Sequence, residues 1–311
     1  MSKLHVVLSC TNRKRVDPPM HMRLRDLPSG RDRATAWIHR VESADLGTSA
    51  DRLYAGEYWV SGSELRRHAL EWFDVEAWVI SAGLGLVSAP ALICTYAATL
   101  SPGHPDSVVQ PTDTLRASEQ RRSWWAALAR WDGPAGSGEP RSLAALAGRD
   151  PGASMVVCAG ADYLDAVHED LLAAQHILRS SEQLLVFGSG GSPPGVGASW
   201  ITVPGRLRTL LGGSMASTGV RAARRVIDGE RLGATRAREV VGRLVESSTP
   251  LPIHERKKVN DAEIIEWTRW HLRDCGPWTK SVALREFRSA GMACEQSRFG
   301  RLFDLAVETS G

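Results

Sequence analysis

Apolar residues divide the first two-thirds of the chain into four short runs, each stopping in small polar residues and glycine. The first, His5-Val6-Val7-Leu8, runs into Ser9-Cys10-Thr11-Asn12 and then three cations, Arg13, Lys14 and Arg15. The runs at 77–81, 154–158 and 183–187 have the same form. They continue into Ala82-Gly83-Leu84-Gly85, Ala159-Gly160-Ala161-Asp162-Tyr163 and Gly188-Ser189-Gly190-Gly191-Ser192. Continuous apolar runs of this length, bounded by turn residues, predict buried strands.

Helical patterns lie between them: 63–72, an amphipathic stretch at 117–131 with Trp124, Trp125 and Trp131, a short one at 142–148, and one ending near 174. Strands alternating with helices predict an α/β three-layer sandwich around a mostly parallel four-stranded sheet. In such a sheet, ligands bind beyond the carboxyl ends of the strands. The four polar strand ends therefore predict the walls of one cleft. Further on, Gly212-Gly213-Ser214 and Ser217-Thr218-Gly219 open a helix over 221–228. Small residues at a helix start suit an anion such as phosphate, on Ser214, Ser217, Thr218 and Arg221; an ordinary helix cap fits Ser217 or Thr218 equally.

The pattern changes at Leu251-Pro252 and the basic stretch 254–258, which predicts a domain boundary between 250 and 251. Beyond it, three short helices are expected at 261–275, 279–290 and 294–308, the first stopped by Gly276-Pro277 and the second by Gly291. The third has an apolar face of Phe299, Leu302, Phe303 and Ala306, with Arg298 and Arg301 outside it. This is the outline of a helix-turn-helix or winged-helix unit; a helical oligomerisation cap fits the same pattern.

Composition narrows the class. With 311 residues, 43% hydrophobic and 23% charged, the chain reads as a soluble protein of one large core and a small appendage. A net charge of +3 decides nothing, but its distribution does. Residues 1–40 hold nine Lys/Arg against three acids, and 205–243 hold nine Arg against Asp228, Glu230 and Glu239. Two such segments point to a polyanionic partner, DNA in the first place. The five cysteines (Cys10, Cys94, Cys158, Cys275, Cys294) have no metal-binding spacing, so neither a structural metal nor another cofactor is expected. No signal peptide and no apolar run near 18 residues is present, which predicts a cytoplasmic protein with reduced thiols and no membrane contact.

No Walker loop, dinucleotide fingerprint, HExxH or deaminase signature occurs. The chemistry must come from the strand ends. Cys10 is a candidate nucleophile if Arg13 and Lys14 stabilise its thiolate. Asn12 is suited to a base edge or a water. Asp51, Glu57 and Asp162 are the candidate general bases or cation stabilisers. Tyr54, Tyr58, Trp59 and Tyr96 are candidates to stack on an extruded base. With Ser9, Ser81, Gly83, Leu84 and Ser189, Tyr54 and Tyr96 make up the expected base pocket; Arg13, Lys14 and Arg15 would face phosphates.

Four segments carry a family resemblance: Ser9-Cys10 followed by Lys14, Leu53-Tyr54-Ala55-Gly56-Glu57-Tyr58-Trp59, Ile80-Ser81-Ala82-Gly83-Leu84-Gly85-Leu86, and Ile93 to Leu100 with Tyr96 and Thr99. Together they resemble the ordered SC…K, LY.G..F, SA..GL and Y…TL motifs of a bacterial family. That family is similar to the archaeosine-synthase core domain, to YaaA-type peroxide-stress proteins and, remotely, to the uracil-DNA glycosylase-like fold. The likeness covers about residues 4–227. It departs at Arg15-Val16, where the archaeosine-type motif has Pro-Tyr, and at Ala97, where an acid is common. The resemblance implies a nucleobase pocket in which the loop 9–14 positions a hydrolytic water and the loop 188–192 stabilises the leaving base and phosphate.

The expectation is therefore a DNA N-glycosylase that removes a modified base, such as a bulky phage-type one, in an antiviral role, with Cys10, Asn12, Glu57 and Asp162 as catalytic candidates. Two rivals stand beside it. One is a 7-deazaguanine-type base-modifying enzyme using Cys10 on DNA or RNA; the other is a non-catalytic DNA-binding protein working through residues 251–311.

Overall fold

Every residue from Leu4 to Ser9 is buried, although a strand with one solvated face would alternate. This strand, β1 (Lys3–Ser9), is the middle of a mixed six-stranded sheet. The computed structural model describes the chain except residues 31, 135–137, 230, 252–255, 276–277 and 309–311, and only the backbone at 275 and 297. Arg31, Glu230, the first part of the basic stretch at 254–258 and the Gly276-Pro277 stop thus lie outside the described residues.

The other strands are β2 (Asp74–Ser81), β3 (Gly85–Ser88), β4 (Ser154–Cys158), β5 (Leu184–Gly188) and β6 (Trp200–Thr202). Their order is β3-β2-β1-β4-β5-β6, all parallel except β3, which returns antiparallel along β2. The sheet therefore has six strands where the apolar pattern predicts four. Gly85–Ser88 reads as part of a glycine loop, but Gly85 adopts φ +74° and turns the chain back into a hairpin. β6 has three residues, too few for a periodic signal.

Helices lie in two packed groups. One contains α1 (Arg33–Glu42), α3 (Ala117–Arg130), α4 (Leu143–Arg149), α5 (Ala161–Ala166) and α6 (His168–Ile177); the other contains α2 (Glu57–Ala69), α7 (Thr218–Val226) and α8 (Ala234–Ser247). The first group touches β3 and the second touches β4 and β5. The edge strand β3 is finished by Arg141, whose guanidinium donates to the Leu84 and Leu86 carbonyls.

At the amino-terminal end of the sheet, His5 is wholly buried beside two carboxylates. Its Nε2 is 3.2 Å from Asp150 and its Nδ1 is 3.6 Å from Glu76. Lys3 and Arg149 pair with those same carboxylates. Burial holds the His5 imidazolium below its ordinary pKa, against the pull of Glu76 and Asp150.

The chain divides into two compact units, Met1–Pro250 and Leu251–Gly311, each with its own apolar core. The second contains α9 (Asp261–Cys275), α10 (Lys280–Ser289) and α11 (Gln296–Glu308) around Ile264, Phe287, Phe299 and Phe303. Lys257–Lys258 pairs in parallel with Met292–Ala293 at one end. Among the described residues, no helix is long and apolar enough to cross a membrane.

Candidate functional site

The carboxyl ends of β1 and β4 open into a hollow of about 270 Å³. Ser9, Cys10, Thr11 and Asn12 come from the end of β1, and Gly160, Ala161, Asp162 and Tyr163 from the start of α5. Tyr58, Thr99, Ser101 and Ala216 complete the wall. A second hollow, of about 260 Å³, opens at the end of β5 and shares Tyr58, Gly160 and Ala216 with the first. Its other walls include Gly188, Ser189, Met215 and Thr218. The strand ends thus form one two-part cleft, as parallel topology favours.

Tyr58 is the divider. From the first turn of α2, its hydroxyl accepts the Ser9 N–H at 3.0 Å and donates to the Cys158 carbonyl at 2.5 Å, tying the ends of β1 and β4 together. Ser9 Oγ donates to the same hydroxyl at 3.2 Å. Burial pushes the Tyr58 phenol well above its ordinary pKa, so it stays protonated.

Cys10 forms the floor. Its sulfur accepts the Ala82 N–H at 3.4 Å and lies 3.3 Å from the Tyr163 hydroxyl, with the residue 4% exposed. Tyr163, pushed upward first by burial and then by Cys10, is a phenol at neutral pH. At the mouth, Asn12 is exposed, and the Asp162 carboxylate is held 3.1 Å from Arg121. The cation fixes the orientation of that carboxylate.

Lys14 lies beneath the loop. Its ammonium donates to the Thr11 carbonyl at 3.3 Å and sits 4.4 Å over the Tyr96 ring and 5.8 Å from that of Tyr54. Burial holds Lys14 below its ordinary pKa, opposed by the charges of Cys10 and Asp106. It organises the loop from inside, whereas Arg13 and Arg15 are exposed.

Several expected pocket residues lie in the core. Tyr54, Ser81, Leu84 and Tyr96 are fully buried, and none of them, nor Gly83, lines either hollow. They form a polar chain: Tyr96 Oη lies 2.9 Å from Tyr54 Oη and 2.6 Å from Ser81 Oγ, which accepts the Leu84 N–H at 3.0 Å. Gly83 passes directly over the Tyr96 ring, where an added Cβ would sit 2.6 Å from ring carbons. The motif around strand two is therefore a packing device under the site.

Glu57 also lies apart from the hollows. It accepts from Ser214 and from Arg221, at 2.8 Å in the latter case. Burial pushes its carboxyl up, but bonds from Ser214, Ser217 and Arg221 outweigh this and bring it down to about 2. Arg221 is thus committed to a carboxylate, and the hydroxyls of Ser217 and Thr218 turn back onto the Ser214 carbonyl at 2.9 and 3.1 Å. The segment 214–218 works as a clasp holding α2 to α7. Asp51 likewise takes the Ser49 hydroxyl at 2.6 Å, away from both hollows. In the second unit, Arg298 pairs with Asp261 at 2.8 Å and Arg301 is exposed.

Thr11, Thr99, Ser101, Tyr163 and Ala216 line the first hollow without being site candidates in the sequence. Tyr163 had a signal, since it directly follows Asp162 after a strand end; Ala216 had none. No protein-family model, curated protein or solved structure matches the chain.

Proposed function

We propose that Met1–Pro250 is a DNA N-glycosylase core that hydrolyses the bond between deoxyribose and a modified base. The observation that carries this reading is the first hollow, where an exposed amide (Asn12) and a cation-held carboxylate (Asp162) stand over a floor of Cys10 and Tyr163. Ligand pockets typically begin at about 300 Å³. A hollow near 270 Å³ suits a single extruded base, leaving the sugar and phosphates outside.

In this reading Asn12 orients a water towards the anomeric carbon. The carbon–nitrogen bond breaks with its electron pair going to the base, and the Asp162 carboxylate stabilises the oxocarbenium-like sugar. Water oxygen then bonds to that carbon, its proton passes to Asp162 or solvent, and the base leaves protonated from water. The exposed Arg13 and Arg15 face the phosphates. The uracil-glycosylase-like resemblance, with its site at the end of the first strand, supports the same assignment. Incubation with duplexes carrying modified or ordinary bases, followed by cleavage at abasic sites, tests it; no base release from any modified substrate would sink it.

One observation favours a second reading. The Ala82 N–H donates to the Cys10 sulfur and the Tyr163 hydroxyl lies 3.3 Å from it, a setting that also suits a sulfur nucleophile attacking a base. That reading expects a mass change on the base with its sugar bond intact.

A further inference from the structure

The unit Leu251–Gly311 carries ten Lys/Arg against nine Asp/Glu, so as a whole it is almost neutral. Its cations are nevertheless unevenly spread. Ser281, Arg285, Arg288 and Ser289 recur at i, i+4, i+7 and i+8 of α10 and so form one stripe. The stripe lines a hollow of about 310 Å³ together with Arg256 and Gln296. A second hollow of about 310 Å³ shares Arg256 and Arg288 and adds Lys258, Arg298 and Glu295. Five cations thus surround two joined depressions with one acid among them. A different groove, beside Trp267 and Trp270, mixes Glu263 and Glu266 with Lys257, Arg269 and Arg273.

Arg288 and Arg298 are held in place. Arg288 donates to the Cys294 carbonyl at 2.9 Å, and Arg298 to Asp261 and the Val259 carbonyl at 2.8 and 3.1 Å. Arg285 is exposed. α10 and α11 are joined by residues 290–295, in which Gly291 has φ +79° and Met292–Ala293 pairs with Lys257–Lys258, and α11 begins with Gln296 at the edge of the stripe. A side-chain amide on the first turn of a second helix, as Gln296 is, is a group that reads base edges.

We propose that this face docks duplex DNA, with Arg256, Lys258, Arg285 and Arg288 on phosphates and the first turn of α11 towards the major groove. The B-form major groove admits a helix, whereas the A-form groove of duplex RNA does not. The assignment stands independently of what the strand-end cleft does.

The test uses the whole chain and a fluorescent mixed-sequence duplex, with anisotropy read at several salt concentrations. Arg285→Glu with Arg288→Glu is expected to weaken binding at least about tenfold and to flatten the log K against log salt slope by about 2. Arg285→Lys with Arg288→Lys should keep most of both. Since Arg288 also bonds within the fold, Arg285→Glu alone, on an exposed side chain, should give about half the change in slope. Charge reversal without effect on affinity or slope would overturn the proposal, as would duplex RNA competing as well as DNA. Base release from a short single strand, followed in the same variants, reports on the cleft separately.

Discussion

The Cys10 sulfur lies 3.3 Å from the Tyr163 hydroxyl, joining the end of the first strand to the helix after the fourth. The same sulfur accepts the Ala82 N–H from the turn after β2. Three elements thus converge on one buried atom, and replacing it separates the two functional readings. For a glycosylase, Cys10→Ala should keep base release within about tenfold of the parent. Its main effect should be about 1 kcal/mol of lost stability from the missing sulfur contacts, read by urea denaturation. A complete loss of turnover with an intact fold would transfer the function to covalent catalysis.

Asp162→Asn should reduce base release by about 10² to 10⁴, the range for losing a positioned acid–base group. Its pairing with Arg121 is part-exposed, so melting should shift little. Unchanged single-turnover rates would remove Asp162 from the mechanism.

Tyr58→Phe strips a hydroxyl that serves the Ser9 amide and the Cys158 carbonyl. Leaving those groups unpaired should cost about 1–3 kcal/mol. Amide exchange at Ser9 should quicken relative to the rest of β1. If global stability and the Ser9 amide are both unaffected, Tyr58 is not the tie between the strands.

Gly83→Ala would place a methyl 2.6 Å from the carbons of a wholly buried Tyr96 ring. Overpacking of this kind costs about 1–3 kcal/mol. A variant as stable as the parent would show that the ring can move aside.

His5 sets an acid limit. Burial depresses its pKa in the folded chain, so below about pH 6.5 the unfolded chain binds a proton that the folded one refuses. Stability is therefore complete above that pH and falls as pH drops towards the folded value. His5→Leu should flatten the fall in melting temperature below about pH 6.5; an unchanged slope would assign the acid loss to other groups.

The four strands and the two-unit outline were legible because continuous apolar runs such as Val6-Val7-Leu8 carry their own signal. The antiparallel strand was hidden because Gly85 and Ser88 look like loop, and only pairing with β2 makes them strand. At the site, position after a strand end was informative for Cys10, Asn12 and Asp162, which share one hollow. Residue type and motif are misleading for Tyr54, Ser81 and Tyr96, which lie in the core. Nothing local distinguishes an aromatic facing a pocket from one packed beneath it, since both sit in the same motif and both need a hydrogen-bond partner. Glu57 stands as a catalytic candidate and Arg221 as a phosphate candidate in the sequence, because the ion pair joining them spans a separation no local pattern reports.

The guanidinium of Arg141 on the outer strand has a consequence for the protein in concentrated solution. A sheet edge with open carbonyls is a template on which another chain can add a strand. Arg141 occupies the Leu84 and Leu86 carbonyls, and burial lowers its pKa only to about 10, so the cap stays charged at neutral pH. The side chain is a guard against self-association, and its removal should show first as aggregation on storage rather than as lost activity.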